Sequence, residues 1–385
     1  MVEFRRDLHA HPELSWAEVR TTARVGEELT AAGLSPGVLP SGTGLVCDID
    51  GDAPGPRVLL RADLDALPID DESDVPFRST VPGVAHACGH DVHTAVVLGA
   101  GLELARRAQA GSSTGPVRLL FQPAEEVLPG GALVALDAGA LDGVDRIFAL
   151  HCDPRLDAGS VAVRSGPITG ATDLITVRLS GPGGHTSRPH LTVDLVAALA
   201  DVVTRAPALL SRRVDPRAGL SVVWGRIAAG SAANVIPEHG EISGTVRTLD
   251  PVAWEAAAEL LPALVREIVA PFGAEVDVDY QRGVPPAVND PVATEAFRFA
   301  VVAELGGIEE TEQSMGAEDF AWLLAKVPGV LGRLGVRRPG AVSVSDLHRG
   351  DFTVDEDAVA TGIRTLVAAT RGAQSARAPG PVGRS

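Results

Sequence analysis

The feature that most constrains the fold is a set of short apolar segments, each followed by side chains that can bind a cation or a proton. The segments and the side chains after them are residues 57–61 with Asp63 and Asp65, 117–121 with Glu125 and Glu126, and 146–150 with His151. Their length and branched residues are typical of strands. Because open α/β sheets bind ligands beyond the carboxyl ends of their strands, we predict an α/β fold with one crevice along a sheet edge.

Residues 85–94 have the composition of a metal site. They contain three histidines, one cysteine and Asp91. Thiolate and imidazole are ligands that borderline-soft divalent ions prefer, and Cys88 and His90 can both be presented by one turn that leads into a helix. A reduced core cysteine beside capping histidines is the plainer interpretation, and this short spacing alone does not decide between the two.

Glu125 and Glu126 follow an apolar strand and precede a turn with the sequence Pro-Gly-Gly. Two adjacent carboxylates in such a place are costly to desolvate unless a cation or a proton compensates. Consecutive side chains of an extended segment diverge, so one carboxylate can bind a metal while its neighbour faces the water that the metal activates. The alternative is an ordinary surface pair.

Two further groups of polar residues have less specific patterns. Strand alternation places Asp63 and Asp65 on one side of a strand end, where they can orient an imidazole ligand, although a solvated turn is the alternative. His9 and His11 lie at a break between two predicted N-terminal helices. No acidic residue is directly adjacent to either histidine, so we interpret both as structural.

The middle of the chain predicts an inserted domain. From about residue 171 the order is strand, helix, strand, strand, helix, strand, over residues 174–179, 193–210, 220–227, 241–248, 252–272 and 275–280. This order is typical of a ferredoxin-like α+β domain. We therefore predict a catalytic domain formed by 1–168 and 285–370, an inserted lid or dimerisation domain at 169–284, and a disordered tail at 371–385.

Composition excludes several classes of partner. Lys and Arg number 33 against 50 Asp and Glu, a net charge of −17 with no basic block, which disfavours nucleic acids and anionic membranes. No apolar run is long enough to span a bilayer. Three cysteines form no disulfide framework, and with no apolar signal core at the N-terminus they indicate a cytoplasmic protein.

Several motifs in a fixed order carry a resemblance to a known family. They are Ala87-Cys88-Gly89-His90-Asp91, Gln122-Pro123-Ala124-Glu125-Glu126, the glycine-rich loop before His185, Asn234-Val235-Ile236-Pro237 and Leu347-His348. With them the chain resembles the amidohydrolase branch of the co-catalytic metallopeptidases, which includes aminoacylases, hippurate hydrolases and hydrolases of indole-3-acetyl amino acids. The resemblance covers nearly the whole chain short of its tail. It implies a larger α/β domain of the zinc-exopeptidase type, with a smaller domain inserted into it.

The resemblance also implies the residues of the site. Two divalent ions, whether zinc, manganese, cobalt or nickel, would be held in the larger domain by Cys88, His90, Glu126, His151 and His348, with Glu125 as general base and acid. His185 of the smaller domain would reach toward the substrate, commonly across a homodimer interface, and Asn234 and Arg247 would hold its carboxylate or carbonyl. Without the resemblance, His348, Asn234 and Arg247 are typical of surface loops and strand ends.

The predicted function is hydrolysis of the amide bond of small N-acyl amino acids by metal-activated water, with Glu125 as the base. A dipeptidase or an N-carbamoyl amino acid hydrolase would use the same site with a different pocket. A non-catalytic metal-binding scaffold is the alternative from another class. Residues 349–352, Arg-Gly-Asp-Phe, depart from the Asn-Pro and Tyr of many relatives. The resemblance therefore does not define that wall of the pocket.

Overall fold

The computed structural model describes residues 1–112, 114–341 and 345–375. Within these ranges the α-helices are, in chain order, α1 (Val2–Ala10), α2 (Val19–Ala31), α3 (His90–Gln109), α4 (Gly131–Asp137), α5 (Leu195–Leu210), α6 (Pro251–Val269), α7 (Pro291–Leu305), α8 (Ala321–Leu324) and α9 (Asp357–Ser375). Short 3-10 turns lie at Pro189–Leu191, Pro216–Ala218 and Ala270–Phe272. The two N-terminal helical pieces expected from the sequence are α1 and α2.

The strands of the same ranges are β1 (Gly37–Val38), β2 (Leu45–Ile49), β3 (Val58–Asp63), β4 (Val117–Gln122), β5 (Arg146–Asp157), β6 (Val161–Val163), β7 (Gly166–Thr169), β8 (Ala171–Ser180), β9 (Gly184–His185), β10 (Ser221–Ala229), β11 (Val235–Ile236), β12 (His239–Thr248), β13 (Glu275–Val284), β14 (Ala287–Asn289), β15 (Glu309–Glu310) and β16 (Gly329–Arg337). In both compact units of the chain, helices pack on a sheet.

The larger unit comprises Met1–Gly166, Val288–Glu312 and the described residues from Trp322 onward. Its eight-stranded sheet has the order β1-β2-β4-β3-β5-β16-β6-β15. Strand β3 is parallel to both of its neighbours, with Asp63 opposite Gln122 and Arg61 opposite Ala149. The carboxyl ends of β3 and β4 therefore meet at one edge of the sheet, as the sequence predicted. The apolar first half of α3 is buried in this unit's core.

The smaller unit comprises Pro167–Ala287 and Gln313–Ala321. Its sheet has the order β10-β12-β8-β13, and every neighbouring pair is antiparallel. The apolar faces of α5 and α6 pack with the sheet to form a separate core. Both helices begin at an aspartate N-cap, Asp194 and Asp250, whose side chain accepts a hydrogen bond from the third residue of the helix. The fold class predicted for both units is confirmed.

The sequence-based division left residues 313–321 with the larger domain, whereas their contacts lie in the smaller unit. The N–H of Gly170 donates to the carbonyl of Ser314 at 2.9 Å. The guanidinium of Arg247 donates to the carbonyl of Met315. A short loop with no apolar periodicity carries no sequence signal for such contacts.

Two predicted boundaries are wrong. Strand β5 does not end before His151 but continues to Asp157, because β16 pairs alongside it with Arg333 opposite His151. The predicted tail is helical over residues 371–375, where the side-chain amide of Gln374 accepts from Gly115 N and donates to Pro116 O. Residues 376–385 lie outside the described ranges. Among the helices described, none has the length and apolar character needed to cross a bilayer.

Candidate metal centre

The loop between Cys88 and His90 depends on a glycine. Gly89 has φ +84°, in the left-handed region, and it precedes the first residue of α3. A Cβ at this position would lie 2.7 Å from Sγ of Cys152. Only glycine accommodates both the backbone conformation and the close approach. The reversal places Cys88 and His90, both buried, on the same side of the loop.

Asp65, just past the end of β3, connects this loop to the glutamate pair. Its carbonyl accepts a hydrogen bond from Nδ1 of His90 at 2.8 Å. Its carboxylate accepts from the backbone N–H groups of Glu125 and Glu126 at 3.0 and 2.9 Å. Asp65 is buried, so these contacts are shielded from water. The expected orienting role of Asp65 toward an imidazole agrees with this geometry, and the carboxylate also shapes the turn that carries both glutamates.

His151 lies inside β5 with its ring directed at Cys88. Its Nδ1 is 2.8 Å from the carbonyl of Cys152, which leaves Nε2 as the ring nitrogen available to a ligand. This Nε2 lies 3.5 Å from Sγ of Cys88. The side chain of Cys152 instead contacts the carbonyl of Gly89 on the other face of the strand. These two consecutive strand residues therefore point to opposite faces of the sheet.

His348 reaches the same place from a distant loop. Its backbone N–H donates to the carbonyl of Ala87 at 2.8 Å, which fastens the loop beside Cys88. His348 has φ +62°, a left-handed conformation uncommon outside glycine. Its Nε2 lies 3.4 Å from Oε1 of Glu126. The adjacent carboxylate of Glu126 raises the pKa of His348 above its usual range.

The predicted ligands converge in overlapping groups whose donor atoms lie within 4.8 Å of one another. The groups are Cys88 with His90 and His151, Cys88 with Glu126 and His348, and His90 with Glu125 and Glu126. Cys88 belongs to two of them, so its sulfur lies between a histidine of β5 and a histidine of the late loop. Five donors, drawn from four separate segments, therefore surround one small volume.

The donors fit divalent cations. Nε2 of His90 and Oε1 of Glu126 are buried without a hydrogen-bond partner among the described residues, and they lie 3.8 Å apart. A buried acceptor left in this state costs about 1–3 kcal/mol unless a ligand satisfies it. Sulfur, imidazole and carboxylate together are a donor set used for zinc and neighbouring transition metals. The set does not select one ion among them.

Burial determines the protonation of two of these ligands. It raises the pKa of the Cys88 thiol well above the usual range, so the metal-free thiol keeps its proton. Burial lowers the pKa of His151 well below its usual value, so this imidazole is neutral. A neutral imidazole can bind a cation directly, whereas the thiol must first lose its proton.

Sequence reasoning did not assign a role to His93. Its Nδ1 lies 2.6 Å from Oδ1 of Asp63, and its Nε2 accepts from the N–H of Cys152 at 2.9 Å. His93 thus links the end of β3 to β5, directly behind the ligands. Its spacing of three residues from His90 on the same helix is the signal that could have indicated a shared environment. Although burial would raise the pKa of Asp63, its interactions with His90, His93 and Arg61 hold it well below the usual range.

His9 acquires acidic neighbours that its sequence context did not show. Its Nδ1 lies 2.9 Å from Oδ2 of Asp91, and its Nε2 lies 3.4 Å from Oδ2 of Asp71. Arg5 donates to the same oxygen of Asp91 at 2.6 Å. His11 instead contacts the carbonyl of Asp7, one helical turn earlier. Neither histidine is grouped with the candidate ligands, in keeping with a structural role for both.

The remaining predicted residues belong to the smaller unit. Strands β9 and β11 pair with His185 opposite Val235, and the N–H of Thr186 donates to the carbonyl of Asn234. His185 and Asn234 are therefore neighbours, and both are exposed. Nδ1 of His185 accepts from the N–H of Ser187 at 3.1 Å, so the neutral ring carries its proton on Nε2. Arg247 donates to Oγ1 of Thr172 at 3.0 Å.

Comparison with known proteins places this site in a family. The model of peptidase family M20/M25/M40 matches residues 59–371. The chain belongs to this family. The match includes β3, the Cys88 loop, the glutamate turn and the His348 loop, which are the elements that form the centre. The family predicted from the sequence is confirmed, and so is the predicted hydrolase class.

Members of the family resemble the chain over nearly its whole length. The N-acetylcysteine deacetylase of Bacillus subtilis is 37% identical over 362 residues, which cover 93% of this chain and 93% of that protein. The crystal structure of the Bacillus subtilis YXEP protein, a dinuclear metal binding peptidase from the M20 family, is 34% identical with a TM-score of 0.84 and covers 96% of both chains.

One relative is much longer. A Rhodococcus jostii protein named for a glutamate–cysteine ligase is 49% identical over 373 residues, which cover 96% of this chain but only 46% of that protein. The chain therefore spans less than half of that relative. The ligase name describes the whole longer protein.

Proposed function

We propose that this family member is a metal-dependent amidohydrolase that cleaves the amide bond of N-acyl amino acids. The observation that carries the proposal is the convergence of Cys88, His90, Glu126, His151 and His348 on one small volume, with the carboxylate of Glu125 beside it. A site that only stored a metal would need the ligands but not the additional carboxylate.

Four of the five proposed ligands are oriented by backbone features, and the fifth, Glu126, has its backbone N–H bonded to Asp65. Cys88 and His90 are set by the Gly89 reversal, His151 by its strand, and His348 by the hydrogen bond to Ala87. Two divalent cations bound by these residues would polarise the scissile carbonyl and lower the pKa of water toward neutrality. Hydrogen bonds from the second nitrogen of a histidine to a fixed carbonyl, as seen for His90 and His151, orient the ring toward a metal.

Glu125 is the proposed general base. Its backbone is fixed by Asp65, and its carboxylate lies within 4.8 Å of the ligand atoms of His90 and Glu126. In this role Glu125 takes the proton of the attacking water and gives it to the nitrogen of the leaving amine, so the amine departs neutral. The carboxylate of Glu126 is grouped both with Glu125 and His90 and with Cys88 and His348, so it is placed to act as a ligand.

His185, Asn234 and Arg247 are the proposed substrate-binding residues. The Nε2 proton of His185 can be donated to the carbonyl oxygen as negative charge develops on it. The side-chain amide of Asn234 and the guanidinium of Arg247 are donors suited to a carbonyl or a carboxylate. These residues lie in the smaller unit, to which we assign the roles of lid and dimerisation domain.

The similarity to an N-acetylcysteine deacetylase supports short N-acyl groups as the first substrates to test. The decisive experiment is a hydrolysis screen of protein reconstituted separately with zinc, manganese, cobalt and nickel. The panel contains N-acetyl, N-benzoyl and indole-3-acetyl derivatives of amino acids, including N-acetylcysteine, together with dipeptides and N-carbamoyl amino acids. Hydrolysis of the N-acyl compounds alone supports the proposal. A preference for dipeptides or carbamoyl compounds would reassign the substrate, and bound metal without any hydrolysis would favour a scaffold.

We also propose a cytoplasmic homodimer formed through the smaller unit. The three cysteines are free thiols, as expected in a reducing compartment. Strand β10 lies at the edge of its sheet and exposes Val223 and Ile227, at 61% and 54%. Light scattering of the purified protein measures the assembly, and a monomer at micromolar concentration would contradict this part of the proposal.

A further inference from the structure

The turn that carries the two glutamates is held by buried carboxylates, which accept hydrogen bonds from three consecutive backbone N–H groups. The N–H of Ala124 donates to Oε1 of Glu18 at 2.8 Å. The next two N–H groups, of Glu125 and Glu126, donate to the two carboxylate oxygens of Asp65. Glu18 belongs to the N-terminal part of the chain, more than 100 residues away from the turn.

Ala124 has an uncommon backbone conformation. Its φ is +51°, in the left-handed region, which costs a residue with a Cβ about 1–2 kcal/mol. Its carbonyl accepts from the N–H of Gly131 at 2.9 Å. A Cβ on Gly131 would lie 1.8 Å from the carbonyl oxygen of Pro123, so this approach requires glycine. The strained turn is thus fixed from both sides, by Glu18 on the N–H and by Gly131 on the carbonyl.

Glu18 is fully buried, and the same Oε1 also accepts from the N–H of Trp16 at 3.0 Å. Trp16 is itself left-handed, with φ +66°. One carboxylate oxygen therefore stabilises two strained residues from distant segments. Glu18 is not needed to satisfy the start of α2, because Glu13 accepts from the N–H groups of Arg20 and Thr21 there. Burying a carboxylate is costly unless it is hydrogen-bonded, and the hydrogen bonds from Trp16 and Ala124 offset that cost.

We infer that Glu18 is a positioning residue for the catalytic turn: it holds Ala124 in the left-handed conformation and so directs the side chains of Glu125 and Glu126. The inference rests on the proposed role of Glu125 as the base. Glu18 contacts the backbone of the turn, two residues before a proposed ligand, and none of the proposed ligands itself. Its effect on turnover is therefore conformational.

Two substitutions of Glu18 by side chains of similar volume separate the effect of its hydrogen-bond acceptor from the effect of its charge. Glu18→Met removes the acceptor, whereas Glu18→Gln keeps an amide oxygen for the N–H groups of Trp16 and Ala124. We expect Glu18→Met to lower kcat by about 30- to 100-fold, since a displacement of about 1 Å can cost 10²-fold. KM should change by less than about threefold, and metal content should be unchanged. Glu18→Gln should restore most of the lost kcat.

Glu13→Ala is the matched control. It removes a carboxylate of the same N-terminal segment that also accepts from two backbone N–H groups, but at the start of α2. It should lower the Tm without lowering kcat. An equal loss of kcat in Glu13→Ala and Glu18→Met would overturn the inference, because the effect would then be general destabilisation.

A double-mutant cycle with Ala124→Gly tests the conformational cause. Glycine adopts positive φ without steric cost, so the turn should depend less on Glu18 when residue 124 is glycine. We expect Glu18→Met to cost less than about tenfold in kcat in that background. The same loss as in the unmodified background would contradict the role assigned to the strain at Ala124.

Hydrogen exchange of the metal-free protein gives a readout independent of activity. Backbone amides over residues 122–127 should exchange at least about tenfold faster in Glu18→Met than in the wild type or Glu18→Gln. Unchanged exchange would overturn the inference, whatever the kinetics show. Unchanged turnover in Glu125→Gln would instead refute the proposed base, and this outcome is distinguishable because exchange does not depend on catalysis.

Discussion

Two sets of buried polar groups, one in each unit of the molecule, differ in whether the protein satisfies them. In the smaller unit Asp173 is fully buried and accepts three hydrogen bonds, from Nε1 of Trp254 at 3.0 Å, the hydroxyl of Tyr280 at 2.7 Å and the N–H of Gly283 at 2.8 Å. In the larger unit, Nε2 of His90 and Oε1 of Glu126 are buried without such partners.

The difference separates a network that stabilises from a site that binds. Donors around Asp173 come from α6 and β13, so the carboxylate ties a helix to the sheet and is satisfied within the protein. In the metal centre, Nε2 of His90 and Oε1 of Glu126 instead face one shared volume and lack hydrogen-bond partners among the described residues. Such an arrangement is stable only when a bound ion completes the set. Changes at the two places should therefore affect different measurements.

Removing the metal should have the largest effect. Exhaustive chelation should abolish hydrolysis, and addition of a divalent ion should restore it. Because the cations bind the folded state, free metal at a thousandfold excess over its Kd would contribute about 4 kcal/mol to the free energy of unfolding. Calorimetry with and without chelator measures this loss. Full activity after metal content has fallen to background would refute a metal-dependent mechanism.

Glu125→Gln should have the next largest effect. Loss of the proposed base should lower kcat by about 10³- to 10⁴-fold, while metal stoichiometry and the Kd of a substrate analogue stay close to wild type. Kinetics and metal analysis on the same preparation measure both. Glu103→Gln, on the surface of α3 and outside the candidate groups, is the control and should leave turnover unchanged.

How much could be read from the sequence depended on the range of the interactions. Strand β4 matches its predicted segment, 117–121, to within one residue, because a run of apolar residues is a local signal. Strand β5 extends beyond its prediction, because its second half is stabilised by pairing with β16, at least 180 residues later in the chain. No local pattern of residues 151–157 contains that information.

In the site too, only features with a local sequence signal could be predicted. A strand-end pattern and ordered motifs were enough to nominate Cys88, His90, Glu125, Glu126 and His151, whereas His348 had no support without the family resemblance. The contacts that orient these residues were not predictable. Asp65 acts on the turn through its side chain and on His90 through its carbonyl, and Glu18 supports an alanine in a conformation that sequence assigns to glycine. Such pairs are fixed only by the tertiary fold.

His185→Ala tests whether a residue of the smaller unit contributes to catalysis without binding the metal. The side chain is exposed in the smaller unit, so its loss should leave Tm and metal content unchanged. If its Nε2 proton stabilises the developing oxyanion, kcat should fall by about 10²- to 10³-fold. Kinetics and metal analysis distinguish the outcomes, since lost metal would make His185 a ligand instead. His190→Ala, another exposed histidine of the same loop region, is the control.

Asp173→Asn should have the smallest effect on activity and a clear effect on stability. The substituted amide places an NH2 group where the network needs an acceptor, so one of the three donors loses its partner at a cost of about 1–3 kcal/mol. Denaturant unfolding measures the loss, and metal content and kcat of the folded fraction should match wild type. The control is Asp277→Asn on the same sheet, where the side chain is 71% exposed and the change should stay within about 0.5 kcal/mol. If Asp173→Asn instead removed metal without lowering stability, the division between a stabilising network and a binding site would be wrong, because the two units would share one polar system.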